Sequence, residues 1–308
     1  MSVRSGGAAL AVDIGGTKLA AALVDSEGQV LRRNEVPTPK TTVAEQAGDA
    51  LIGLIRPLLA GADRPVVAAV ASAGPLDPRQ GTISPVNIPA WRSYPVLEQV
   101  GEVTGSMPSV LLGDALAAAV GEQWRGAATG SGAMLGVVVS TGVGGGFVFD
   151  GRPFAGPTGN AGHLGHMCAD PLGQLCPCGA RGCVEMLASG PSMVRWARGM
   201  GWPGHEARQL AVEARSGRPL ALAAFGQAAE ALSLGIAAAA ALCDLDDVVV
   251  GGGVSQAGEI LLGPLRRCLA ARTALEFVRR IKVHQSALGT SAGLIGAARA
   301  GFQLLADA

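Results

Sequence analysis

Aromatic side chains are scarce in this chain of 308 residues: one Tyr, four Trp and six Phe. Hydrophobic residues still make up 49% of it, so the core must be built mostly from Ala, Val and Leu. That composition suits closely packed helices and strands. An excess of charge of one sign is also lacking. Lys and Arg number 24 against 24 Asp and Glu, and no basic block appears, so binding to nucleic acid through its phosphates has no support. Long apolar runs are missing too. The longest, Ala231 to Cys243, is too short to cross a bilayer and is followed by Asp244. The apolar patch Ala8 to Val12 is cut off by Asp13 and lacks the length of an export signal. Without such a signal the six cysteines are expected to remain thiols in the cytoplasm. There is no short-period repeat, no low-complexity segment and no Walker pattern.

What the sequence does have is concentrated between Gly162 and Glu185, GHLGHMCADPLGQLCPCGARGCVE. His166, Cys176, Cys178 and Cys183 supply one nitrogen and three sulfur ligands, the closed tetrahedral set that suits structural Zn²⁺ rather than a hydrolytic centre. Glycines and prolines between them let the chain turn tightly around an ion. Disulfides or inert buried thiols are the alternatives, and the C-x-C spacing is tighter than the common C-x-x-C knuckle. A bound zinc would hold His163, His166 and Glu185 at a pocket wall. Cys168, Cys243 and Cys268 are expected to be packing residues, and His205 and His284 to be surface or satisfied histidines.

Along the chain, strands and helices alternate in an order that predicts an α/β protein with two related halves and a cleft between them. A composition shift near residue 130 marks the boundary. The expected domains are 1–128, completed by the C-terminal helix 291–308, and 129–290. Strands are expected at 9–13, 19–25, 29–37, 66–72, 109–113, 134–140, 147–150, 247–250 and 281–284. Ile83 to Pro95 is expected to be an irregular loop.

Three strands run into glycine turns. DIGGTK joins a carboxylate (Asp13), two glycines (Gly15, Gly16), a hydroxyl (Thr17) and an ammonium (Lys18). A strand, not a helix, is expected after it, which excludes a dinucleotide fingerprint. Backbone N–H groups in such a turn meet phosphate oxygens without a Cβ in the way, and Asp13 has the chemistry to hold Mg²⁺ directly or through water. STGVGGG, with Thr141, Gly142 and Gly144, offers a second cradle, and Gly252 and Gly253 a flat surface for a ring. Together they point to ATP; an ordinary hairpin is the alternative for any one of them. Asp114, at a strand end where an alanine-rich helix begins, reads either as an N-cap or as the general base that accepts a proton from a hydroxyl attacking a phosphoryl group.

DIGGTK, the strand–Asp–alanine helix, STGVGGG and above all GH-x9-C-x-C-G-x2-G-C-x-E-x3-SG resemble the ROK family (repressors, open reading frames and kinases) over nearly the whole chain. The resemblance implies an actin-like, ribonuclease-H-like fold of two domains, with ATP between them, a homodimer, and phosphate transfer to a sugar, usually at the 6-hydroxyl. It further implies Asp114 as base, His166 as a zinc ligand at the edge of the sugar site, and Gly74, Asn87 and Glu185 lining that site. Two positions depart from the family pattern. Gly113 stands where Asn is usual, and His163 where Glu is usual. The H-x-G-H version is similar to the branch that holds bacterial N-acetylmannosamine kinases. Lost hydrogen bonds at these positions change which hydroxyl pattern is selected, and a glucokinase or a C7-cyclitol kinase is the alternative within the family. A sugar-responsive regulator would need an N-terminal helix-turn-helix, for which no room is expected before the first strand. A sugar-binding protein without catalysis would have no use for Asp114 and both phosphate turns.

Overall fold

The computed structural model describes residues 7–61, 64–86, 88–105 and 107–308; Asn87 lies outside them. The first half opens with an antiparallel meander, β1 (Ala8–Ile14), β2 (Lys18–Val24) and β3 (Val30–Pro37), followed by α1 (Ala44–Leu59) and β4 (Pro65–Ser72). A short hairpin, β5 (Leu76–Asp77) and β6 (Thr82–Ile83), occupies part of the region around the expected loop. Then come α2 (Val96–Thr104), β7 (Ser109–Gly113) and α3 (Asp114–Arg125). The sheet order is β3-β2-β1-β4-β7, with β4 and β7 parallel to β1.

The second half repeats that plan. It runs β8 (Ala133–Val139), β9 (Val143–Phe149), β10 (Arg152–Phe154), α4 (Val184–Ala188), α5 (Gly190–Gly199), α6 (Ala207–Arg215), α7 (Pro219–Cys243), β11 (Asp247–Gly251), α8 (Glu259–Arg272), α9 (Glu276–Arg279), β12 (Lys282–Gln285) and α10 (Ala292–Asp307). Its sheet order, β10-β9-β8-β11-β12, again has a meander on one side and two parallel strands on the other. The expected fold class is the observed one.

The alternation in β1 explains how the first sheet is covered. Leu10, Val12 and Ile14 point to one face and pack with Leu51, Leu54 and Ile55 of α1. Ala9 and Ala11 point to the other, where Leu294, Ala297 and Ala298 of α10 lie close. Asp13 continues the alanine face, so its carboxyl emerges beside the start of α10. Helix α3 touches both halves: Leu116 and Ala117 join the first sheet and α10, while Ala119 and Val120 pack on Met134, Val148 and Val249 of the second. It crosses α10 almost backbone to backbone, since a Cβ on Gly296 would stand only 1.7 Å from the Ala117 carbonyl oxygen.

Three expectations change. The strand expected from Phe147 begins at Val143, so Gly144 to Gly146 belong to β9 and not to a cradle. They are glycines because neighbours press on the strand: a Cβ on Gly146 would fall 2.4 Å from Leu116 Cα. Helix α7 is longer than its most apolar run, and its length and composition would suffice for a bilayer. Its Phe225, Leu232 and Ile236 are instead buried in the core of the second half. Cys168 is exposed and packs nothing away.

Glu122, near the end of α3, is buried. Its Oε1 accepts from Ser286 Oγ at 2.5 Å and the Leu288 N–H at 2.9 Å; its Oε2 accepts from the Ala127 N–H at 2.8 Å and the Ala287 N–H at 3.1 Å. One carboxylate thus ties together the two crossings between the halves, after α3 and after β12. Glu122→Gln keeps one acceptor oxygen and turns an NH₂ towards N–H donors. It should lower stability by about 3 kcal/mol, read from urea unfolding; an unchanged midpoint would mean that these bonds hold nothing.

Candidate active site

Asp114 is the first residue of α3, and Gly113 takes the cap position in extended conformation. The N-cap reading of Asp114 therefore fails. Its Oδ1 accepts the Ala115 N–H at 2.7 Å, which leaves Oδ2 for a ligand. Burial raises its pKa above the ordinary carboxylate range, while the Ala115 N–H and then His163 pull it back. Asp13 is pushed up to about 7, first by desolvation and then by repulsion from Asp114, against the opposing pull of Lys18 and Arg33. The two carboxylates thus belong to one electrostatic site at the junction of β1, α3 and α10.

The DIGGTK turn is a tight hairpin in which the Gly15 N–H donates to the Lys18 carbonyl at 3.0 Å. Thr38 braces it: its hydroxyl donates to the Gly15 carbonyl at 2.7 Å and its N–H to the Thr17 carbonyl at 3.0 Å. Thr17 and Gly16 lie at its tip. Lys18 points along β2 and is ion-paired with Glu35 at 3.1 Å, so the structure does not present it as an open phosphate ligand. Arg33 extends that chain, donating to Glu35 at 3.0 Å and to Ser291 Oγ at 3.1 Å. Arg33 and Ser291 carried no motif, and only the folded structure brings Arg33 towards both Asp13 and Ser291. In the other half Thr141 and Gly142 form the β8–β9 turn. Gly252 and Gly253 follow β11 beside it, the former against the Val139 carbonyl and the latter near Ser140. Gly144 lies in β9 against Ala115, one residue from Asp114.

His163 faces Gly74: a Cβ there would sit 3.5 Å from His163 Nε2. His163 Nδ1 lies 2.9 Å from the Asn160 carbonyl oxygen. A carbonyl can only accept, so Nδ1 carries a proton, and in the neutral form of the ring Nε2 is the acceptor. Asn160, also without a motif, reaches across to the first half. Its Oδ1 accepts the Leu76 N–H at 3.2 Å and its Nδ2 donates to the Leu76 carbonyl at 3.0 Å. Glu185, on α4, accepts the Val143 N–H with Oε2 at 2.9 Å. That bond joins the cysteine-rich loop to the β8–β9 turn.

The ligand atoms of His166, Cys176, Cys178 and Cys183 all lie within 4.8 Å of one another. Cys178 Sγ is 3.6 Å from Cys183 Sγ, and Cys176 Sγ 3.7 Å from His166 Nδ1. A tetrahedral zinc with Zn–S bonds of about 2.3 Å separates its sulfurs by about 3.8 Å, so the spacing fits. The thiol chemistry fits as well. Burial and the neighbouring thiols push Cys183 up to about 12, burial raises Cys176, and the Ala180 N–H lowers Cys178. Thiols packed this way hold as thiolates when a cation neutralises them. His166 stacks on His163 with ring centroids 6.0 Å apart, which couples the cluster to the cleft.

The ROK family profile matches residues 9–301. An N-acetylmannosamine kinase of Citrobacter koseri is 39% identical over 292 residues, 94% of this chain and 97% of that protein. The crystal structure of a ROK family glucokinase from Streptomyces griseus, in complex with glucose and AMPPNP, superposes with a TM-score of 0.84 at 34% identity, covering 96% of this chain and all of that one. The ROK hexokinase of Thermus thermophilus gives 0.81 at 36% identity, covering 98% of this chain.

The raised Asp13 pKa makes stability depend on pH. The folded protein keeps this proton up to about pH 7, whereas the unfolded chain releases it near 3.8. That contribution is full below about pH 4 and is lost as the pH rises through about 7. Ligand-free Asp13→Asn should therefore be more stable than the parent at about pH 8, by on the order of 2–4 kcal/mol, with a clearly smaller gap at about pH 5. Urea midpoints that show no such trend would place Asp13 at its ordinary pKa.

Proposed function

The chain belongs to the ROK family, and from that premise we propose that it is an ATP-dependent sugar kinase with Asp114 as general base and an N-acetylhexosamine, N-acetylmannosamine first, as acceptor at the 6-hydroxyl. The observation that carries this is the placement of Asp114: half-buried at the head of α3, one carboxylate oxygen held by a backbone N–H, the other free, with His163 beside it and the DIGGTK turn on the side of Asp13. A hydroxyl donating to Asp114 Oδ2 loses its proton there as it attacks the terminal phosphoryl group in line. The backbone N–H groups around Gly15, Gly16, Thr17, Thr141 and Gly142 receive phosphate oxygens, and Gly252 and Gly253 pack the adenine. Asp13 is the residue that would hold Mg²⁺, which neutralises charge on the phosphates when bound.

Zinc, held by His166, Cys176, Cys178 and Cys183, is structural in this reading and sets the wall that His163 and Glu185 present to the sugar. Gly74, and by family likeness Asn87, complete that wall. His163 Nε2 accepts a hydrogen bond from a sugar hydroxyl. At Gly113 a Cβ would meet only Leu76, at 3.9 Å, so there is space beside the base for a substituent such as an acetamido group. Segments 1–128 with 291–308, and 129–290, act as the two bodies that close on substrate. A cytoplasmic homodimer is the proposed form, supported by family likeness and by Leu172, Leu175 and Met200 left exposed on the second half.

Two experiments test this. Asp114→Asn should lower turnover by at least about 100-fold in a coupled ADP-release assay while calorimetric sugar binding survives; retained turnover would remove Asp114 as base. A panel of N-acetylmannosamine, N-acetylglucosamine, glucose, mannose and C7-cyclitols should show the highest kcat/KM for N-acetylmannosamine. The double variant Gly113→Asn, His163→Glu should shift preference towards glucose by at least about ten-fold. No shift would mean that neither position selects the acceptor.

A further inference from the structure

Cys168 stands opposite Cys183 as an isolated antiparallel bridge. The hydrogen bonds on either side run from the Ala169 N–H to the Gly182 carbonyl at 2.7 Å and from the Val184 N–H to the Met167 carbonyl at 2.9 Å. They flank the two cysteines and do not join them, which makes this a non-hydrogen-bonded pair. In that register the Cα atoms lie about 4.5 Å apart and the side chains come close together on one side. A disulfide accepts Cα separations of roughly 4.4–6.8 Å. Cys168 is exposed and Cys183 is buried. Cys168 is also outside the His166–Cys176–Cys178–Cys183 cluster, so its thiol is not committed to a metal. The backbone therefore holds an accessible free thiol in register with a buried metal ligand.

We propose that Cys168 is an oxidation site, at which a peroxide links it to Cys183 and thereby takes one ligand from the zinc cluster. The inference rests on the zinc reading above. In the first step peroxide oxygen adds to the Cys168 sulfur, giving a sulfenic acid and one water. The Cys183 thiolate then attacks that sulfur, forms the S–S bond and expels hydroxide, which leaves as the second water after taking up a proton. Two thiols give up two hydrogens and two electrons, and one peroxide becomes two waters. A sulfur in a disulfide no longer binds zinc as a thiolate, so His166, Cys176 and Cys178 are left with an incomplete set. Helix α4 starts at the residue after Cys183 and carries Glu185, so the change is passed directly to the bond between Glu185 and the β8–β9 turn.

The competing product is a Cys178–Cys183 disulfide, since those sulfurs are already 3.6 Å apart. Zinc-loaded protein treated with hydrogen peroxide, alkylated and digested without reductant separates the two by mass mapping, while a chromogenic chelator follows zinc. The expected result is a Cys168–Cys183 cross-linked peptide, one zinc released per link, and reversal by dithiothreitol with added zinc. Cys168→Ser should keep its zinc at least about ten-fold longer under the same peroxide. Zinc loss at the same rate in Cys168→Ser, or a link confined to Cys178 and Cys183, would overturn the proposal. Protein that proves metal-free yet forms the Cys168–Cys183 link would uphold the pairing and remove only the zinc reading. Zinc-loaded protein that never forms the link would do the reverse.

Discussion

The buried Glu122 carboxylate sets the geometry on which the rest of the site depends. It lies near one end of the helix Asp114–Arg125 and Asp114 lies at the other, about 12 Å away along the axis. With both of its oxygens accepting from the two crossings between the halves, Glu122 fixes the axial position of the helix. The approach of Gly296 to the Ala117 carbonyl fixes its depth against α10. Small residues on both helices remove the slack that longer side chains would leave, because a backbone contact cannot be relieved by a rotamer change. The Asp114 carboxylate is thus located by a rigid rod and not by a loop, the arrangement that the proposed role as base requires.

The same seating creates an electrostatic problem at the other end of the rod. Burial raises the cost of ionising both Asp13 and Asp114, and repulsion from Asp114 raises it further for Asp13. Lys18 and Arg33 relieve it only in part, because both are also engaged with Glu35. Without ligand, Asp13 is the group that gives way and keeps its proton near neutrality. A cation bound there would release that proton, so metal binding, proton release and charge on the base are linked. His163 acts from the opposite side. Its Nδ1 is held by the Asn160 carbonyl, which fixes the ring beside Asp114 and Gly74.

Much of this was legible in the sequence because it rests on local chemistry. The Ala/Leu alternation of β1, the glycine hairpin after Asp13, the strand–Asp–helix junction and the His–Cys₃ spacing each involve residues within one element or one loop. What escaped reading depends on contacts between distant segments. STGVGGG looks like a turn, yet Gly144 and Gly146 are small because α3 presses on β9, and Gly145 because the Gly162 carbonyl presses on its other face. Lys18 looks like a phosphate ligand until β3 supplies Glu35. Asn160 and Ser291 carry no motif, and their roles exist only because the chain brings Leu76 and Arg33 to them. Cys168 was expected to be packed, but it is exposed, although its antiparallel partner, Cys183, is buried.

The cysteine-rich loop closes the chain of dependence. Residues 162–183 have little regular structure. Leu164, with Met167 and Ala169 beside it, anchors the start of the segment in the core of the second half, whereas Leu172 and Leu175 lie exposed, so backbone bonds and the four-residue cluster hold its middle. Closing the segment between His166 and Cys183 through a metal removes loop entropy that burial elsewhere would have to offset. His163 stacks on His166 and faces the base. Under the proposed function, the segment that meets the acceptor is the one that carries the metal ligands, so loss of one sulfur ligand acts on the sugar-site wall before it acts on the hydrophobic core.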